Sequence, residues 1–158
     1  LKHDDSSILN KVDLSKVTLA SEGSFAPGNG WQEVKFNQPV KARYVGLLAH
    51  NAQDEKEIAS IAELYLLDED GERLSREPWT VLYADSEDTS SKNCTADKVF
   101  DLQESTYWKT ERHKPFPHYL IIDLGEVHTL TGAQYLPRME SQAPGSIKDF
   151  QILVNEEL

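Results

Sequence analysis

Pro117-His118-Tyr119-Leu120-Ile121-Ile122-Asp123-Leu124-Gly125 is the stretch that decides the fold of this chain. Its apolar run is too short for a helix of ordinary length, includes two β-branched residues, and is closed by Pro on one side and Gly on the other. That combination reads as a strand. Working outward, period-two or short apolar runs recur at 129–136 and 147–154, and upstream at 17–19, 31–36, 42–49, 61–67 and 79–83. Between them lie Pro27-Gly28-Asn29-Gly30, Asp68-Glu69-Asp70-Gly71 and Pro144-Gly145, whose residues tolerate positive φ or fix it. Only 97–102 and 53–59 are suited to short helical turns. Eight strands without a long amphipathic helix predict an all-β, antiparallel β-sandwich. The polar stretch 85–93 reads as a surface loop.

The chain has 158 residues, which suits one domain with a single core. Trp31, Trp79 and Trp108 are read as core or sheet residues. Sixteen Lys and Arg against 27 Asp and Glu give a formal charge of −11, a field that repels a phosphate backbone. Nucleic acid and anionic membrane surfaces are therefore poor partners, and no apolar run is long enough to span a bilayer. Cys94 is the only cysteine, so neither a disulfide framework nor a zinc knuckle is available. The start at Leu1, with no Met and no apolar signal segment, reads as a piece of a longer protein whose targeting signal lies upstream.

Several ordered motifs point to a family. Ala96 is followed by Asp101, Thr106 and Trp108, by the strand quoted above, by Tyr135-Leu136-Pro137-Arg138, and by Ile147-Lys148-Asp149-Phe150. This order resembles the N-terminal half of coagulation factor V/VIII type C (discoidin-like) domains and of family 32 carbohydrate-binding modules. A second block holds 31–36, 40–48 and Ala59-Ser60-Ile61-Ala62-Glu63-Leu64, and it resembles the C-terminal half of the same family. Here that half comes first. The expectation is one module over 1–158 with its halves in permuted order, 16–70 resembling the C-terminal half and 79–155 the N-terminal half. The resemblance implies a jelly-roll, galactose-binding-domain-like sandwich. Separate half-sandwiches would leave apolar faces and open edges exposed.

The resemblance also implies a structural calcium site. Asp101 and Thr106 supply a carboxylate and a hydroxyl, Glu63 of the Ala-Glu-Leu strand completes the shell, and main-chain carbonyls add the hard oxygen ligands calcium needs. The bland alternative is that Asp101 and Thr106 only cap a turn. Leu102 stands where the family usually has Gly. By contrast, Asp68-Glu69-Asp70-Gly71 is a strand-ending turn, because the closing Glu of an EF-hand loop would fall at Trp79.

Sugar recognition needs polar groups for the hydroxyls and an apolar face for the ring. By resemblance the site lies on loops at one end of the sandwich: the loop after Trp108, the loop 138–145, and the loop 50–58. Lys109, Arg112, His113, Arg138 and Gln142 are the candidate ligand-binding residues. The loop before Ala59 lacks the aromatic that many relatives place there, and Arg112 replaces the other platform; Phe116 or Tyr107 would have to substitute. For Arg138 the alternative is a surface ion pair.

Catalysis has little support: five His lack metal-ligand spacing, no Gly-x-Ser-x-Gly elbow occurs, and the carboxylates are unpatterned. The resemblance thus implies a non-catalytic carbohydrate-binding module of a larger secreted, periplasmic or cell-surface glycoside hydrolase. Its partners would be a glycan and the parent's catalytic domain. The alternatives are a structural or docking module of that parent without a sugar site, a lipid-binding module, disfavoured by polar loops, and an enzyme in its own right.

Overall fold

A computed structural model describes residues 7, 16–28, 30–54, 56–90, 93–138 and 145–157. Among the described residues eight strands follow in chain order: β1 (Thr18–Ser24), β2 (Gln32–Ala49), β3 (Ser60–Ile61), β4 (Glu63–Leu67), β5 (Thr80–Ala84), β6 (Trp108–Lys109), β7 (His118–Leu136) and β8 (Asp149–Asn155). A 3-10 helix covers Ala96–Phe100, close to the helical turn expected over 97–102. The helical turn expected over 53–59 does not form among the described residues; Ala52 instead bridges Ile147, and Gln53 is held by Ser146 and Phe25 carbonyls.

The all-β sandwich is what the chain forms. Two of the expected strand pairs are single long strands: 31–36 and 42–49 fuse into β2, and 119–124 and 129–136 into β7. Each bends and serves both layers. One half of β2 (44–49) and of β7 (118–123) lies in a layer ordered β1-β8-β2-β7-β5; the other halves (32–35 and 132–135) pair in a short layer completed by β4. The register shift at Arg43 explains how β2 stays amphipathic. Phe36, Val40 and Ala42 are buried before it, and Val45, Leu47 and Ala49 after it. One extra residue exchanges the faces of a strand, so the bulge restores the apolar side to the core. On β7, Gly125 at φ 89° makes the matching bend.

Every described strand pairing except β5 with β7 joins a strand before residue 70 to one after residue 79. The core likewise mixes the two stretches: Phe25, Leu47, Ile61, Leu64 and Leu66 pack with Trp79, Trp108, Leu120, Ile122, Tyr135 and Phe150. Phe25 stacks on Phe150 with ring centroids 4.2 Å apart. Burying each such side chain contributes roughly 1.5–3 kcal/mol. Trp79 and Trp108 are buried as expected, but Trp31 is 39% exposed, because it precedes the first β2–β7 pair and lies beside the outer-face residue Tyr65. Among the described residues no helix is long and apolar enough to cross a membrane.

Candidate functional site

Described residues that border the three loops singled out by sequence, Thr110, Gly145 and Ala59, meet around Ala59 and Ser60. Ala59 N–H donates to Thr110 Oγ1 at 2.9 Å and its carbonyl accepts from Thr110 N–H at 3.0 Å. Ser60 pairs with Lys109 across β3 and β6, and its N–H donates to the Gly145 carbonyl at 2.8 Å. Gly145 adopts φ 99°, and a Cβ there would lie 2.7 Å from Ser60 Oγ, so the close approach requires glycine. Behind these loops, His118 is fully buried. Its Nδ1 is 2.7 Å from Asp85 Oδ2 and its Nε2 is 2.7 Å from the Glu57 carbonyl. With acceptors on both ring nitrogens, the imidazolium fits the site best. Burial works against that charge, but the bonds to Asp85 and Glu57 outweigh it and raise the pKa.

The expected ligand-binding residues divide into three groups. Arg112 and His113 stand exposed on the turn after β6, with His113 at φ 68°, and Lys114 next to them pairs with Glu111 at 3.3 Å. Lys109 is engaged internally: its Nζ lies 2.9 Å from Asp88 Oδ2, with the two side chains 12% and 9% exposed. The Lys109 bond lowers the Asp88 pKa to about 2, so the pair is ionised and its charge is neutralised within the fold. Arg138 lies over the Tyr107 ring at 4.0 Å, and its Nη2 donates to Tyr107 Oη at 2.8 Å. Arg138 thus has an aromatic partner in Tyr107. Gln142 lies outside the described residues. Of the two possible stacking aromatics, Tyr107 is buried, and Phe116 packs edge-on against His118. Tyr107 therefore presents no free platform, and Phe116 is half-buried.

The expected metal residues do come together. Thr106 Oγ1 donates to Asp101 Oδ2, and the Asp101 carboxyl in turn faces Glu63. Glu63 is buried, and its Oε2 has no hydrogen-bond donor among the described residues. Burial pushes the Glu63 carboxyl up to about 7; Arg76 opposes the rise and Asp101 adds to it. An oxygen-only cluster with an orphaned carboxylate oxygen has the donor chemistry of a calcium site. Among the described residues no three His, Cys, Asp or Glu side chains converge, so an ion here would rely on Thr106 and main-chain carbonyls as well as the two carboxylates. Leu102, at the family's usual Gly position, takes φ 64° and is 77% exposed, so the turn keeps a left-handed residue despite the substitution.

Sequence reading missed Arg76, which falls in the stretch 72–78 that the resemblance does not cover. It is buried, its Nη1 donates to the Leu64 and Val99 carbonyls at 3.1 and 2.9 Å, and its Nη2 lies 2.8 Å from Glu63 Oε1. An Arg within Ser-Arg-Glu-Pro carries no local signal of burial.

A sialidase of Micromonospora viridifaciens is 38% identical over 72 residues, covering 43% of this chain and 11% of the sialidase. The chain therefore spans about a tenth of the length of that curated relative. The family model described as F5/8 type C domain matches residues 82–157, the stretch that carries β6, β7, β8 and the loops around Arg112 and Arg138. Over residues 82–157 the chain is thus similar to the F5/8 type C domain family.

Proposed function

We propose that the chain is a single, non-catalytic carbohydrate-binding module, with its family halves in permuted order, that holds an attached glycoside hydrolase on its glycan substrate. The observation that carries the reading is the exposed basic turn Arg112-His113-Lys114, placed within the F5/8 type C stretch on an otherwise acidic chain. The pairing of β1 with β8 supports permutation, because it sets the first and last described strands side by side. Tethering raises the local concentration of substrate at the catalytic domain. Such a module acts where glycans are met, in a secreted, periplasmic or cell-surface enzyme.

Arg112 and His113 suit a sugar bearing carboxylate or sulfate, since guanidinium groups form paired, charge-assisted hydrogen bonds with oxyanions. Arg138, its guanidinium held by Tyr107, is the third donor of this reading. Lys109 is not part of this reading, because Asp88 holds it. Asp101, Thr106 and Glu63 would hold a structural calcium ion, whose charge would offset the two facing carboxylates. Titration of acidic and neutral oligosaccharides into wild type, Arg112→Ala and Arg138→Ala tests the glycan reading. Binding of acidic glycans in the range of about −4 to −6 kcal/mol, weakened by salt and by Arg112→Ala, supports it. Absence of binding would favour the second reading, a docking module of the parent enzyme, for which Leu102 offers an exposed apolar contact.

A further inference from the structure

Trp31 is the one tryptophan that the fold leaves accessible, and its surroundings are ordered rather than random. Trp79 and Trp108 are 4% and 1% exposed, whereas Trp31 is 39% exposed on the outer side of the short layer. Tyr65 of β4, Gln134 of β7 and Glu33 of β2 lie opposite one another across three neighbouring strands, so they share that outer face. The Trp31 and Tyr65 rings are 5.8 Å apart. The Arg73 guanidinium lies over both, 4.9 Å from Trp31 and 4.0 Å from Tyr65.

This cluster is fixed from below and from the side. Arg76 lies over Tyr65 at 3.8 Å and donates to its hydroxyl at 3.0 Å, which holds the ring. Arg73 is bridged through its backbone to Leu67, and its Nε donates to Gln134 Oε1 at 2.7 Å. Gln134 Nε2 donates to Glu33 Oε1 at 2.9 Å. Among the described residues the Arg73 terminal nitrogens make no hydrogen bond, so the chain of contacts ends in free donors at one side and a carboxylate acceptor at the other. An accessible indole beside donors and acceptors is the combination a pyranose needs: C–H bonds against the ring, hydroxyls that both accept and donate.

We propose that this outer face, with Trp31 as the stacking platform and Arg73, Gln134 and Glu33 as hydrogen-bonding partners, is a second glycan-contact surface, selective for an uncharged pyranose. The close Glu33 carboxylate disfavours an acidic sugar, so the surface differs in charge preference from the basic turn at Arg112. The inference rests on the reading of the chain as a glycan-binding module, yet it involves none of the loop residues assigned above.

The experiment titrates lactose, maltotetraose, cellotetraose and mannotetraose into the whole chain while following tryptophan emission, which reports on Trp31 because the other two are buried. The expected result is an emission shift with at least one of these sugars, little changed by salt. Trp31→Ala should weaken its binding roughly tenfold, in line with the loss of one stacked ring, and Arg73→Ala should weaken it too. Trp31→Phe, which keeps a ring, should retain part of the affinity. Tyr119→Ala, which removes an exposed aromatic from the other layer, should bind as wild type. Unfolding midpoints of all variants show that the fold is intact. Sugar binding that Trp31→Ala leaves unchanged while Arg112→Ala abolishes it would overturn this surface and leave the loop site standing. No binding of any neutral or acidic sugar would overturn both.

Discussion

Arg76 Nη2 lies 2.8 Å from Glu63 Oε1, and each side chain is only 2% exposed. A pair so deeply buried contributes little net stability, but removing one partner leaves an uncompensated charge. Arg76 also satisfies the Leu64 and Val99 carbonyls. Arg76→Met should therefore cost about 3–5 kcal/mol in urea unfolding. The double variant Arg76→Met/Glu63→Gln should recover part of that loss, and an equal or larger loss would mean that the carbonyl contacts dominate.

Calcium binding to the native chain should raise its unfolding temperature. Binding to the folded state alone stabilises by about 2.7 kcal/mol when the ion is at a hundredfold its dissociation constant. Chelation should reverse the gain, and Glu63→Gln or Asp101→Asn should remove most of it. Unchanged thermal melts with calcium and chelator, read by calorimetry, would remove the ion from the reading.

The raised pKa of His118 gives the stability a definite pH slope. A histidine whose folded pKa lies above its ordinary value of 6.5 contributes stability that is fully present below that value and is lost as pH rises through the folded pKa. Urea unfolding should show this loss on the alkaline side of 6.5 in wild type. His118→Gln should be less stable at acidic pH and should show a shallower slope, the remainder coming from the raised Glu63 carboxyl.

Leu102 occupies the left-handed region at φ 64° while its side chain is almost entirely exposed. A non-glycine residue there carries strain of about 1–2 kcal/mol, partly offset by the extra freedom glycine has when unfolded. Leu102→Gly should stabilise by roughly 0.5–1 kcal/mol in the same assay. A loss of stability would show that Leu102 packs against something in solution.

Gly145→Ala is expected to act in the opposite sense. The new Cβ would meet Ser60 Oγ at 2.7 Å and Ser60 N at 3.0 Å, at a φ of 99°. The loss should be about 1–3 kcal/mol. Amide exchange at Ser60, whose N–H is held by the Gly145 carbonyl, should become faster, and unchanged exchange would show that the loop shifts without breaking the bond.

What the sequence by itself determined was the strand content, the turns and the family of the second half, because these depend on neighbours a few residues apart. Period-two apolarity marks 119–124 and 147–154, and the family resemblance groups Asp101, Thr106 and Glu63. The tertiary structure decided which strands adjoin, and with that the environment of each charge. Arg76 and Glu63 meet only because β4 carries Glu63 beside the 72–78 segment, and Lys109 is neutralised only because the Asp88 backbone bonds to β6 and sets its carboxylate against Lys109 Nζ. Residue type alone points Trp31 to the core, whereas its exposure follows from where β2 begins its pairing with β7. Burial and charge compensation are properties of contacts between distant segments, and no local pattern encodes them.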